Sequence, residues 1–84
     1  MSEPIRKLAA IVFTDIVGFT ELSSKNEPLA LELIDNQRKY FKPIVQSYNG
    51  QWLKEIGDGL LLTFNGTLDA VKCCIKIQHF LINY

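Results

Sequence analysis

Two aspartates, Asp15 and Asp58, stand where chemistry at a metal ion could take place. Asp15 closely follows the unbroken apolar run of residues 8–13, and Asp58 lies between Gly57 and Gly59. Because burying an unpaired carboxylate is costly, Asp15 is expected where its strand leaves the core and faces a cation, a donor or water. Carboxylate oxygens suit Mg²⁺ or Mn²⁺, and two such ions can activate an attacking hydroxyl and stabilise a leaving oxyanion.

The residues after Asp15 add a second ligand chemistry. Gly18, Phe19 and Thr20 supply a glycine turn followed by a hydroxyl residue suited to opening a helix, whose free N–H groups favour anions. Together with Asp15 they describe a place to hold a metal and a phosphate. The signal at Asp58 is weaker, because Asp-Gly turns are common and spacing alone favours a turn residue over a ligand.

The elements that must position these residues follow from the spacing of apolar side chains. After a flexible lead-in at residues 1–6, the pattern predicts the following elements in order. They are a strand at 7–17, a helical turn at 20–24, a helix at 26–48, strands at 51–56 and 60–64 joined as a hairpin, and a helix at 67–83.

The two main helices are amphipathic. The predicted core stripe of the first is Ala30, Leu33, Ile34, Phe41, Ile44, Val45 and Tyr48, and that of the second is Ala70, Cys73, Cys74, Ile77 and Leu81. Gln37 is the one gap in the first stripe. Pro43 should kink or split this helix because a proline removes an internal hydrogen bond, and Asn49 with Gly50 should end it.

This order predicts an α+β fold, a ferredoxin-like βαββα(β) core truncated before its last strand, over residues 7–84. A right-handed crossover would make the first two strands parallel, with the third antiparallel between them. The turn that carries Asp58 then falls at the sheet edge where the first strand ends, beside Asp15. The outer edge of the first strand should remain exposed or pair with another molecule.

Composition excludes several classes of protein. The 84 residues carry nine basic and nine acidic side chains and are 48% hydrophobic, so neither a nucleic-acid footprint nor disorder is indicated. The apolar runs are too short to span a bilayer, residues 1–4 do not lead into a signal-peptide core, and a cytoplasmic location without membrane contact is expected. Cys73 and Cys74 are expected to be reduced thiols, because neighbouring helical residues point apart.

Two segments together are recognisable. FTDIVGFT at residues 13–20 and KEIGDGLLLTF at residues 54–64 closely resemble the catalytic domain of class III adenylate and guanylate cyclases. The resemblance implies that Asp15 and Asp58 bind two Mg²⁺ or Mn²⁺ ions, with the carbonyl of Ile16 as a further ligand. Gly18, Phe19 and Thr20 would lie against the triphosphate. Lys54 matches the purine-recognising lysine of adenylate cyclases, where guanylate cyclases usually carry an acidic residue, so ATP is the implied substrate.

The implied reaction is attack of the ribose 3′ hydroxyl on the α-phosphorus, which yields cyclic AMP and pyrophosphate for signalling. In this family the aspartates come from one domain and the lysine from another, so a head-to-tail homodimer or association with another cyclase domain is expected. A complete cyclase domain also carries a second substrate-specifying residue, an asparagine and an arginine that cannot be assigned here. We therefore expect a cyclase fragment that is inactive as the isolated 84-residue chain.

Two other classes of function stay open. One is a non-catalytic, cyclase-like module for dimerisation or regulation. The other is a different two-metal enzyme with a ferredoxin-like palm, such as a diguanylate cyclase or a polymerase. The diguanylate cyclase signature, consecutive glycines followed by acidic residues, is absent from the sequence.

Overall fold

A computed structural model of the protein describes residues 9–83. Its elements are β1 (Ala10–Thr14), α1 (Phe19–Lys25), α2 (Glu27–Ser47), β2 (Gln51–Ile56), β3 (Gly59–Phe64) and α3 (Thr67–Ile82). The predicted α+β class and element order are confirmed, and the predicted helical turn is a helix of seven residues. The predicted lead-in at residues 1–6 and the start of the predicted first strand lie outside the described residues.

The three strands form one antiparallel sheet in the order β1-β3-β2. Leu62 at the middle of β3 pairs with Val12 of β1 on one side and with Trp52 of β2 on the other. The two outer strands are therefore parallel to each other with β3 between them, as the crossover argument predicted. Since β3 has a neighbour on both sides, it is the most buried strand of the sheet.

The core lies between one face of the sheet and the helices α2 and α3. Its buried side chains come from both helices and from β3: Phe41, Val45, Leu60, Leu62, Phe64, Ala70, Cys73 and Ile77. The register places Val12 and Trp52 on this face with Leu62, and both pack against the core. The opposite face carries no helix among the described residues, and we call it the open face.

Helix α2 begins as predicted and differs at Pro43. The side chain of Asn26 caps it, accepting a hydrogen bond from the Leu29 N–H at 3.2 Å. Of the two outcomes predicted at Pro43, a kink or a split, the split does not occur, because α2 remains one element of 21 residues. The buried side chains of Phe41 and Val45, which lie on either side of Pro43, anchor both halves of the helix in one core and offset the lost hydrogen bond.

The burial of two helix residues differs from the predicted core stripes. Gln37, predicted as a gap, is buried with 8% of its surface exposed, and Leu81, predicted as core, is 46% exposed. Ile77 is the last buried residue of α3, and Leu81 lies one turn beyond it. There it lines an open apolar groove of about 400 Å³ instead of the packed core.

An ion pair fixes α2 against β2. Nε of Arg38 donates to both carboxylate oxygens of Glu55, at 2.7 and 2.9 Å, and Nε1 of Trp52 donates to the same carboxylate at 3.2 Å. Partial burial raises the pKa of Glu55, but the hydrogen bonds from Arg38 and Trp52 and the charges of Arg38 and Lys42 outweigh it and lower the pKa overall. Arg38 therefore links helix to strand.

The connection from α2 to β2 requires a glycine. Asn49 has the left-handed φ of 60° that the sequence predicted at the end of the helix. A side chain at Gly50 would place its Cβ 2.5 Å from Cε1 of Phe64 and 2.8 Å from Cγ1 of Val45. Gly50 thus allows the backbone to approach two of the most deeply buried side chains.

The two cysteines should differ in reactivity. Both are free, with Cys73 buried and Cys74 half-buried. Burial, helped by the neighbouring Cys74, raises the pKa of the Cys73 thiol to about 11. Since only about one Cys73 thiol in a thousand is ionised at pH 8, iodoacetamide should label Cys74 and reach Cys73 only after unfolding. Mass spectrometry of the native and urea-unfolded chain checks this, and equal labelling of both thiols in the native chain would contradict it.

In the part of the chain from residue 9 to residue 83, no helix combines the length and the apolar character needed to cross a membrane.

Candidate active site

The end of β1 and the hairpin turn between β2 and β3 meet at one edge of the sheet. The strands place Gly57 and Asp58 in a two-residue turn, with Gly57 at a φ of 60° that glycine adopts without strain. Across the sheet edge, the backbone N–H of Ile16 donates to Oδ2 of Asp58 at 2.7 Å. The structure therefore holds the Asp58 carboxylate against the residue that follows Asp15.

A cleft of about 560 Å³ opens at this junction. Its lining residues are Asp15, Ile16, Val17, Gly18, Phe19, Thr20, Glu21 and Asp58. This set contains every residue for which the sequence predicted a metal or triphosphate contact. The structure thus brings the two sequence motifs together in one cleft, while the roles of the individual residues stay predictions.

The loop after Asp15 is folded back on itself. The N–H of Phe19 donates to the carbonyl of Ile16 at 3.2 Å, so a predicted phosphate donor and a predicted metal ligand are bonded to each other. A carbonyl oxygen has two lone pairs, and the Ile16 oxygen can still accept a cation. The Phe19 N–H, in contrast, must turn away from Ile16 before it can donate to a phosphate. Gly18 is the N-cap of α1 and has a left-handed φ of 74°, which glycine adopts without strain.

The donor set fits a hard divalent cation. Asp15 is exposed and Asp58 is half-buried, so both can face a ligand in the cleft. Glu21 lies in the same cleft, where its carboxylate pairs with Nζ of Lys25 at 2.7 Å. No group of three or more histidine, cysteine or acidic side chains with metal-binding geometry occurs within residues 9–83. Two carboxylates and a carbonyl match Mg²⁺, which usually takes one or two carboxylates and completes its shell with water and phosphate.

Lys54 lies apart from this cleft. It is exposed on β2 and pairs with Leu61, whose other partner across the sheet is Phe13. Directly paired residues share a face, so Lys54 projects from the open face of the sheet. It is not among the residues that line the cleft with Asp15 and Asp58.

Sequence reasoning missed one residue of this site. Gln37 of α2 is buried, and its Nε2 donates to the backbone carbonyl of Asp58 at 3.3 Å. The available signal was an amide at a core position of an otherwise apolar helix stripe. A buried amide requires a hydrogen-bond partner, so the gap in the stripe marked a polar contact whose partner the sequence did not name.

Comparison with known proteins supports the resemblance. The family described as adenylate and guanylate cyclase catalytic domain matches residues 2–84. The protein named "Putative adenylate cyclase 3" of Rhizobium meliloti (strain 1021) is 32% identical over 75 residues, which cover 88% of this chain and 13% of that protein. The speract receptor of Strongylocentrotus purpuratus is 30% identical over 81 residues, covering 89% of this chain and 7% of the receptor.

The chain thus spans only a small part of the length of these two relatives, while the family match covers nearly all of its own residues. The matched region includes both aspartate motifs, the cleft between them and all six elements of the fold. On these observations the chain belongs to the adenylate and guanylate cyclase catalytic domain family.

Proposed function

We propose that this chain supplies the two-aspartate half of an adenylate cyclase active site, which converts ATP to cyclic AMP and pyrophosphate in cyclic-nucleotide signalling. The observation that carries the proposal is the hydrogen bond of 2.7 Å from the Ile16 N–H to Oδ2 of Asp58, in a cleft that Asp15 also lines. The relative named as an adenylate cyclase adds support at 32% identity.

Each residue of the cleft has a distinct task in this proposal. The carboxylates of Asp15 and Asp58 and the carbonyl of Ile16 hold two Mg²⁺ or Mn²⁺ ions. When bound, the ions make the ribose 3′ hydroxyl more acidic and neutralise charge around the α-phosphorus as pyrophosphate leaves. The backbone at Gly18, Phe19 and Thr20 lies against the triphosphate, once the Phe19 N–H has turned away from Ile16.

Lys54 is proposed to read the purine in a neighbouring domain. Because Lys54 projects from the open face while the aspartates lie in the cleft, one chain presents the two parts of the site on different surfaces. A head-to-tail homodimer, or association with another cyclase domain, brings the Lys54 of one domain to the cleft of the other. The preference for ATP over GTP rests on this residue.

The open face supports an association of this kind. Large apolar side chains are exposed there: Ile11 is 69% exposed, Phe13 56% and Ile56 51%. Their pairing with Thr63, Leu61 and Gly59 of β3 places all three on the face away from the helices. Contiguous exposed apolar surface of this type is typical of an interaction site.

A non-catalytic module for dimerisation or regulation is the second candidate, and the same exposed face favours it. This alternative makes no use of the carboxylates in the cleft. It therefore predicts association without metal-dependent nucleotide binding. For either function we propose a cytoplasmic location.

Equilibrium dialysis with labelled nucleotide tests the enzymatic proposal. At concentrations where it forms the proposed head-to-tail dimer, the 84-residue chain should retain ATP in the presence of Mn²⁺, retain less GTP, and lose the nucleotide when EDTA removes the metal. Lys54→Glu should narrow the difference between ATP and GTP, since it places an acidic residue where guanylate cyclases usually have one. The chain alone is expected to form no cyclic AMP. ATP retention that is absent, or unchanged by EDTA, would refute the two-aspartate site and favour the interaction module.

A further inference from the structure

Gln37 occupies an unusual position for a polar side chain. Of the polar and charged side chains between residues 9 and 83, it is the one that is buried, with 8% of its surface exposed. It lies on the face of α2 that also carries the buried Ala30, Phe41 and Val45. Burying an amide in such surroundings costs free energy unless a hydrogen bond compensates it. The partner of the Gln37 hydrogen bond therefore indicates the role of this residue.

The hydrogen bond of Gln37 ends on Asp58. Its Nε2 donates to the Asp58 carbonyl at 3.3 Å, which joins the middle of α2 to the turn between β2 and β3. The carboxylate of Asp58 is held separately, by the N–H of Ile16 at 2.7 Å. One residue is thus fixed at its backbone by a helix and at its side chain by the chain that follows β1.

We propose that Gln37 is a positioning residue, which holds the Asp58 turn so that its carboxylate stays against Ile16 and directed at the cleft. This inference rests on the proposed function for its consequence, namely that Asp58 binds a divalent cation. The turn contains only Gly57 and Asp58, and the bond from Gln37 ties it to the helix layer. Without the donor, the half-buried Asp58 carbonyl loses this partner and the turn gains freedom to move.

The two possible roles of Gln37, positioning the turn and filling the core, predict different experimental results. If Gln37 only filled the core, its replacement by an apolar side chain of similar shape would change the free energy of unfolding and leave the local geometry of the native turn intact. If Gln37 positions the turn, the Ile16 N–H should lose protection against hydrogen exchange while amides in β3 keep theirs. Local opening and global unfolding are separable in this way, because exchange reports each amide individually.

The experiment compares the wild-type chain with Gln37→Met, which keeps an unbranched side chain of similar length and removes the donor. Gln37→Leu is the second variant, since its apolar side chain also lacks a hydrogen-bond donor and adds no charge. Gln46→Met, an exposed position on the same helix, is the matched control. Amide exchange is measured by NMR without metal, and Mn²⁺ affinity is measured by electron paramagnetic resonance, both under conditions where circular dichroism shows each variant folded.

Both Gln37 variants should raise the exchange rate of the Ile16 amide about tenfold relative to the Leu62 amide, the scale expected for the loss of one hydrogen bond. They should also weaken Mn²⁺ binding about tenfold, the scale on which outer partners of metal ligands act. Gln46→Met should change neither quantity. An unchanged Ile16 exchange rate overturns the positioning role, and so does unchanged Mn²⁺ affinity in a chain that binds the metal. If the wild-type chain binds no Mn²⁺, the proposed function fails and the exchange rates alone decide the role of Gln37.

Discussion

Replacement of either Asp15 or Asp58 by asparagine is expected to weaken Mn²⁺ binding by at least about tenfold, because each change removes one of the two aspartate carboxylates proposed to bind the metal. Removing a residue that only holds a metal ligand in place already weakens metal binding by about 10–100-fold. Removing a ligand itself should therefore cost more than the lower limit of that range. At position 58 the amide oxygen can still accept the hydrogen bond from Ile16, which keeps the turn in place. A lower Mn²⁺ affinity of the Asp58→Asn variant would then result from the loss of the carboxylate's charge and coordination, and not from movement of the turn.

The measurement is a titration of each variant with Mn²⁺, followed by electron paramagnetic resonance. Glu32→Gln is the matched control, because it removes the same charge from an exposed position of α2 outside the cleft. This control should bind Mn²⁺ within about twofold of the wild-type chain, the margin that a distant surface charge allows. Wild-type affinity in either aspartate variant would exclude that residue from the metal site.

Replacement of Leu62 by alanine is expected to destabilise the domain by about 3–5 kcal/mol, near the upper range for leucine in a core. Leu62 has no exposed surface and sits at the middle of the central strand, between Val12 and Trp52. The cavity left by its side chain is enclosed by sheet neighbours and by two helices, which limits how far the structure can relax. Domains of this kind have total stabilities of about 5–15 kcal/mol, so the variant should approach the limit of folding.

Urea unfolding followed by circular dichroism measures this loss as a lower midpoint with a similar slope. Leu31→Ala is the control, because it deletes the same atoms from a side chain that is 55% exposed on α2. The free energy of unfolding of this control should fall by less than about 1 kcal/mol, with a correspondingly small shift of its urea midpoint. A Leu62→Ala variant as stable as this control would show that the core does not close around β3.

Much of the fold could be predicted from the sequence, because the local signals for caps and turns agree with the predicted strand topology. The cap at Asn26, the left-handed residue Asn49 and the hairpin at Gly57 and Asp58 each appear in the structure at the expected place. Strand order followed from the handedness of the crossover, and strand order alone was sufficient to bring the two motifs to one edge. The placement of Asp58 at the sheet edge where β1 ends was therefore predictable from the sequence, and its hydrogen bond with Ile16 was not.

Other features depended on contacts that no local pattern encodes. Gln37 was treated as a gap in the stripe of α2, since the carbonyl it binds lies 21 residues further along the chain. The continuity of α2 through Pro43 depends on the core packing of Phe41 and Val45, which outweighs the local cost of proline. The bond between the Phe19 N–H and the Ile16 carbonyl likewise appears only in three dimensions.

The two-residue turn at Gly57 and Asp58 links the chemistry of the cleft to the integrity of the core. A single inserted residue that shifted β3 by one position against its neighbours would send Leu60, Leu62 and Phe64 to the open face. The same shift would move Asp58 away from Ile16. A change in the length of this turn that shifts the register of β3 should therefore unfold the core and dismantle the cleft together, so the two cannot be varied independently.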